Sequence, residues 1–186
     1  MNLKNKYLYN MLKRLLAITA IVLFCTSFSI PEKIIKKADK EIAKFFDTED
    51  ISKEIYVISE NANSSTPSEF GDGNLFKIYS DGMHLGYGYI GKAPSQAATF
   101  DYLVLFDTNL IITKSKILVY REEYGGEIGS KRWLKQFIGV ASNVHELIYG
   151  EDIIPISGAT ISVRSMTQAM NDLLKSINYL QTSKLL

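Results

Sequence analysis

Leu75–Tyr120, LFKIYSDGMHLGYGYIGKAPSQAATFDYLVLFDTNLIITKSKILVY, is the stretch on which the fold class turns. It holds four runs rich in Ile, Val, Leu, Tyr and Phe: Leu75–Tyr79, Met83–Ile90, Tyr102–Phe106 and Leu110–Tyr120. Such runs read as strands, and the breaks at Asp81-Gly82 and Asp107-Thr108-Asn109 read as turns. A fifth run, Ile55–Ser59, precedes them across Asn61–Ser68 and Gly71-Asp72-Gly73. Strands that follow one another with no helix between them pair antiparallel. The alternating glycines of Gly86-Tyr87-Gly88-Tyr89 read as close backbone packing in a strand, because no helix follows to make a phosphate loop.

Helical spacing appears on both sides of this block. Pro31–Phe46 places Ile34, Ile35, Ala38, Ile42, Phe45 and Phe46 on one side and Lys33, Lys36, Lys37, Lys40 and Lys44 on the other, with Pro31 suited to a first turn. A helix packed on the domain is preferred here over one lying on a membrane surface. Ser130–Gly139 reads as a short helix. Ser162–Leu180 is the clearest one, with Val163, Met166, Met170, Leu173, Leu174 and Ile177 at three-and-four spacing and Ser162 as its N-cap. The fold class expected is α+β, an antiparallel sheet with flanking helices, preceded by one N-terminal membrane helix.

That membrane helix is read from charge. Residues 1–14 carry Lys4, Lys6, Lys13 and Arg14 and no acid, and Leu15–Ile30 carries no charge at all. A basic flank followed by an apolar run marks an export signal or an anchor, with the basic side in the cytoplasm. Sixteen residues span about 24 Å as a helix, short of a bilayer core unless flanking residues extend it. An uncleaved anchor is preferred; cleavage near Cys25–Ser29 is the alternative, and lipidation at Cys25 fits poorly because Phe24 precedes it. The division expected is a basic segment over 1–14, an anchor or signal over 15–30, an amphipathic helix and linker over 31–53, and one domain over 54–186. The anchored form puts the C-terminal domain in the periplasm on the inner membrane, and the cleaved form releases it there.

Composition removes several function classes. One cysteine excludes an internal disulfide framework and a Cys-rich metal or iron–sulfur site, and His84 and His145 lack zinc-hydrolase spacing. A net charge of +1 gives no basis for nucleic-acid binding. No G-x-S-x-G accompanies a base, so no catalytic residue is assigned.

The chemistry gathers just ahead of the last helix, at Ser157-Gly158-Ala159-Thr160-Ile161-Ser162. Gly158 and Ala159 let another molecule approach the backbone closely. The free N–H groups and the dipole of the helix start favour a phosphate, and Thr160 presents a hydroxyl there. From the residues alone this is an anion site at a helix start.

The same six residues resemble the flavinylation motif of the FMN-binding domain family, whose members include flavin-carrying components of the sodium-translocating NADH:quinone oxidoreductase and of the Rnf electron-transport complex. The resemblance covers roughly residues 75–180. It includes the acidic, Gly-containing loop Glu122-Glu123-Tyr124-Gly125-Gly126 and the aromatic residues Trp133 and Phe137 that follow. It implies FMN esterified to Thr160 by a phosphodiester, installed by a separate flavin transferase from FAD. It also implies that Ser157, Gly158, Ala159 and Ser162 form the recognised turn, and that Glu122, Tyr124 and Trp133 flank the flavin ring. The chain departs from the pattern at two places: Ile154 stands where the family carries an acid six positions before the threonine, and the loop lacks the family's Thr-Pro pair. The function implied is electron transfer between a membrane or periplasmic donor and an acceptor. The alternatives are a flavin-dependent reductase of an external substrate and an unmodified binding module of the same fold.

Overall fold

The computed structural model describes residues 30–143 and 145–186. The expected membrane helix lies, apart from Ile30, outside the described residues. Among the described residues no helix is long and apolar enough to cross a membrane.

Five strands pair antiparallel in chain order: β1 (Ser52–Ile55), β2 (Leu75–Ser80), β3 (Met83–Pro94), β4 (Thr99–Phe106) and β5 (Ile112–Val119). The helices are α1 (Glu32–Phe46), α2 (Glu60–Asn63), α3 (Lys131–Leu134) and α4 (Thr160–Thr182). Short 3₁₀ turns flank α3 at Gly126–Gly129 and Lys135–Phe137. The architecture is α+β, with one helix layer on each face of the sheet.

Each face has its own core. Ile34, Ala38 and Ile42 of α1 pack against Phe76, Ile78, Ile90, Leu103, Leu105 and Leu118. On the other side Val163, Met166, Met170, Leu173, Leu174, Ile177 and Leu180 of α4 meet Leu75, Tyr89, Tyr102, Val104, Phe106 and Ile112. Covered on both sides, β4 is buried from Phe100 to Phe106. This is why its sequence runs apolar instead of alternating. Gly88 lies under the Phe76 ring, which a Cβ would meet at 2.3 Å, so this glycine serves packing.

Polar contacts fix α1 in place. Asp39 pairs with Lys53 of β1, and Glu41 pairs with Lys114 at 3.1 Å and Lys116 at 3.5 Å on β5. Burial pushes the Glu41 carboxyl pKa up, and the two lysines outweigh that and hold it below its ordinary value. Ile42 is fully buried. Ile42→Ala is expected to lower unfolding free energy by about 2–5 kcal/mol in a denaturant titration, because the cavity opens in the core beneath the sheet.

Several element boundaries differ from expectation: β3 runs on to Pro94, β4 starts at Thr99, and Glu60–Asn63 forms a short helix in a stretch read as a turn. Two further shifts concern the first strand and the last helix. The first strand is Ser52–Ile55, not Ile55–Ser59. Its partner β2 starts at Leu75, just after the Gly71–Gly73 turn, so the ladder ends once Tyr56 N–H donates to Leu75 O at 2.9 Å. The chain then turns into α2, where Ser59 accepts from Ala62 N–H. The last helix starts at Thr160, two residues before the expected cap. Ala159 occupies the N-cap with no side-chain bond, and Ser162 lies inside the first turn with its hydroxyl turned to Tyr120.

Candidate functional site

Three segments converge at the N-terminus of α4. The turn before it is closed by Ala159 N–H donating to Ile156 O at 3.2 Å. Gly158 adopts φ +76°, the left-handed region, and a Cβ there would meet nothing within 4 Å. The turn therefore needs glycine for its backbone, and its outer side stays open to an approaching molecule. Val163 N–H donates back to Ala159 O at 2.9 Å and begins the helical ladder. The N–H groups of Thr160, Ile161 and Ser162 make no hydrogen bond among the described residues. Three donors and the positive end of a 23-residue helix thus point at the space beside the Thr160 hydroxyl.

The second segment follows β5. Tyr120 closes that strand's end over the turn, its hydroxyl 3.0 Å from Ser162 Oγ and its ring 6.1 Å from Phe100. Gly125 takes φ +75° and packs so tightly on the turn that a Cβ would lie 2.6 Å from Ala159 Cβ. The loop Arg121–Gly125 is therefore clamped to the turn before α4 by backbone against methyl.

The third segment is the β3–β4 connection. Glu122 Oε1 accepts from Ala97 N–H at 2.8 Å and Ala98 N–H at 3.1 Å. Arg121 donates to Thr99 O at 2.8 Å and pairs with the buried Asp101. The neighbouring Ser95 hydroxyl, then the Ala97 and Ala98 N–H groups, hold the Glu122 carboxyl below its ordinary pKa of 4.5. As placed, Ser95 Oγ is buried without a formed hydrogen bond, so the two backbone donors are the geometric part of that effect. A depressed carboxyl pKa contributes an attachment that is complete above the unfolded value and lost as pH falls through the folded one. Amide exchange at Ala97 and Ala98, corrected for its intrinsic pH dependence, is expected to lose protection below about pH 4.5, whereas core amides of β4 keep theirs.

Together these segments line an open cleft of about 260 Å³ bounded by Gln96, Tyr120, Glu122, Tyr124, Gly158, Ala159, Thr160, Ile161 and Ser162. The cleft thus gathers six of the residues singled out in the sequence: Thr160, Gly158, Ala159, Ser162, Glu122 and Tyr124. Tyr124 is 77% exposed and offers a free ring face. Ser157 is exposed on the turn and does not line the cleft. Trp133 is buried in the core, with its ring edge-to-face on Phe137 and its indole N–H donating to Ile154 O at 2.8 Å. Tyr120 and Gln96 were not legible as site residues. Tyr120 reads as a strand end, and neither residue carries a local signal.

The arrangement suits a flavin mononucleotide bound by its phosphate. Free N–H donors meet an anion, the left-handed glycine admits it, and Tyr124 stands where a planar ring can lie. Among the described residues no lysine or arginine lines the cleft. Phosphate affinity would therefore rest on backbone donors alone, and the Thr160 hydroxyl is the group able to add a covalent tie. Residues 97–175 match the family described as FMN-binding domain. No curated protein matches the chain.

Proposed function

Residues 97–175 belong to the FMN-binding domain family, and on that premise we propose that the protein is an electron-transfer flavoprotein whose FMN is joined by a phosphodiester to Thr160. In this reading the domain works outside the inner membrane, as a carrier between a membrane or periplasmic donor and an acceptor. The observation that carries the proposal is the Thr160 hydroxyl at the first position of α4, beside a left-handed glycine and three N–H groups with no partner among the described residues.

The chemistry of attachment balances simply. The Thr160 oxygen bonds to the FMN phosphorus of FAD, the pyrophosphate bond breaks, and AMP leaves with the hydroxyl proton. A flavin transferase supplies the catalysis, since among the described residues the cleft holds no candidate base beyond the Glu122 carboxylate, already engaged with Ala97 and Ala98. Bound there, FMN supplies one- and two-electron chemistry. The chain's own residues hold the phosphate end, flank the ring with Tyr124, and leave one side of the cleft to a partner. A covalent tie also prevents loss of cofactor outside the cell membrane.

The test is the intact mass of the full chain co-expressed with a flavin transferase. A gain of one FMN less one water is expected. An unmodified mass, with the transferase active on a control substrate, would leave the second reading, an unmodified binding module. Ile154 is the observation that favours that module. The residue is 65% exposed, and its backbone, not its side chain, bonds to Gln136 and Trp133. Ile154→Asp therefore leaves the fold intact, and it is expected to raise the flavinylated fraction in the same mass measurement by restoring the family's carboxylate. A reductase of an external substrate is distinguished by substrate-dependent reoxidation of the reduced flavin.

A further inference from the structure

α1 shows the solvent a face of nearly one sign. Lys33, Lys36, Lys40 and Lys44 recur at spacings of three, four and four, and all are exposed. That spacing sets them in one stripe, about 16 Å long at 1.5 Å per residue. The fold itself segregates the charges. Asp39 and Glu41 are engaged with Lys53, Lys114 and Lys116 on the sheet side. Glu32, paired with Lys36, is the one acid of α1 left outside. The apolar side of the helix is consumed, since Ile34, Ala38 and Ile42 are buried against the sheet. Contact with any further surface therefore runs through lysines, and a straight stripe of this length matches an extended anionic plane better than a single small anion. The stripe begins three residues after the uncharged run Leu15–Ile30 ends.

We propose that the lysine face of α1 seats the domain on a bilayer surface bearing anionic phospholipid headgroups. An anchor at residues 15–30 would hold the domain near such a surface, but the proposal is carried by the lysine face itself, and it is independent of whether Thr160 carries flavin. It has a consequence for orientation. The cleft at Thr160 adjoins the N-terminus of α4, the helix on the opposite face of the sheet. With α1 against the headgroups, that helix layer is turned to the aqueous phase, where a water-borne partner reaches it.

The full chain, reconstituted into vesicles of phosphatidylcholine alone or mixed with phosphatidylglycerol, is treated with a water-soluble lysine acetylating reagent and read by mass spectrometry. Protection of Lys33, Lys36, Lys40 and Lys44 is expected in the anionic vesicles at ~0.15 M salt and is expected to fade at ~1 M salt. Lys131 and Lys175 serve as unprotected references. Each lysine removed is expected to lower the docked-to-undocked ratio roughly five-fold. Lys33→Gln with Lys40→Gln, both at exposed sites, is therefore expected to expose Lys36 and Lys44. Equal reactivity in the two lipid compositions overturns the proposal, as does protection that requires an added acidic protein instead of lipid. Flotation with the phosphatidylcholine vesicles reports the anchor separately. If it fails, lysine-dependent flotation with anionic vesicles alone still supports the surface, and its absence overturns it.

Discussion

Thr160→Ala, co-expressed with an active flavin transferase, is expected to leave the chain at its unmodified mass, a complete loss of covalent flavin. The fold is expected to survive. Thr160 is exposed at the first position of α4, and neither its hydroxyl nor its N–H has a partner among the described residues. Alanine is a good helix former, so the stability cost is expected within about 0.5 kcal/mol. Thermal melting checks that half of the statement. Loss of flavin with an unchanged melt assigns the attachment to Thr160. Flavin retained at full mass in the variant would move it to another hydroxyl. Ser162 is poorly placed for that role, because its hydroxyl is buried against Tyr120.

Gly125→Ala is expected to have the larger effect on stability. The substitution strains a φ of +75° and drives a methyl to 2.6 Å from Ala159 Cβ and 3.1 Å from the Tyr120 hydroxyl. Strain of the backbone alone costs on the order of 1–3 kcal/mol, and the clash adds to it. Relief requires the loop to lift from the turn. A drop in flavinylated fraction is therefore expected beside the drop in unfolding free energy. Tyr124→Ala, one residue earlier on the same loop, is the contrast: its ring is mostly exposed, so stability is expected to change by less than about 0.5 kcal/mol. Equal stabilities for the two variants would show that the loop does not rest on Ala159.

Two of the departures of structure from sequence share a cause. Ile55–Ser59 has strand composition, yet the strand falls on Ser52–Ile55, whose four residues are all exposed. Strand composition describes a surface that fits a sheet, and only a partner decides which residues use it. The partner β2 begins at Leu75, and the ladder stops there. Likewise Ser162 has the chemistry of a cap, but Tyr120, just past the end of β5, offers its hydroxyl a partner, and the helix begins earlier. A local preference worth about 1 kcal/mol gives way to a tertiary contact of similar size when the backbone is already positioned.

What the amino-acid order determined by itself is considerable. The apolar runs between Leu75 and Tyr120 and the turns between them specify four of the five strands, and the absence of helical spacing specifies their antiparallel order. The three-and-four spacing specifies both long helices. The small residues before α4 specify an anion-accepting helix start with a hydroxyl in it. These are short-range properties, carried by backbone preference and by side chains a few residues apart. The tertiary structure alone decided which distant segments meet there. It brought Tyr120 and Gly125 onto the Ser157–Ser162 turn, pinned Glu122 to the β3–β4 connection, and sent Trp133 into the core. It also turned Asp39 and Glu41 of α1 toward the sheet and left Lys33, Lys36, Lys40 and Lys44 outside. Each of these depends on strand register and on which face of the sheet a helix covers, and such contacts between residues 20 to 80 positions apart leave no periodic trace in the chain.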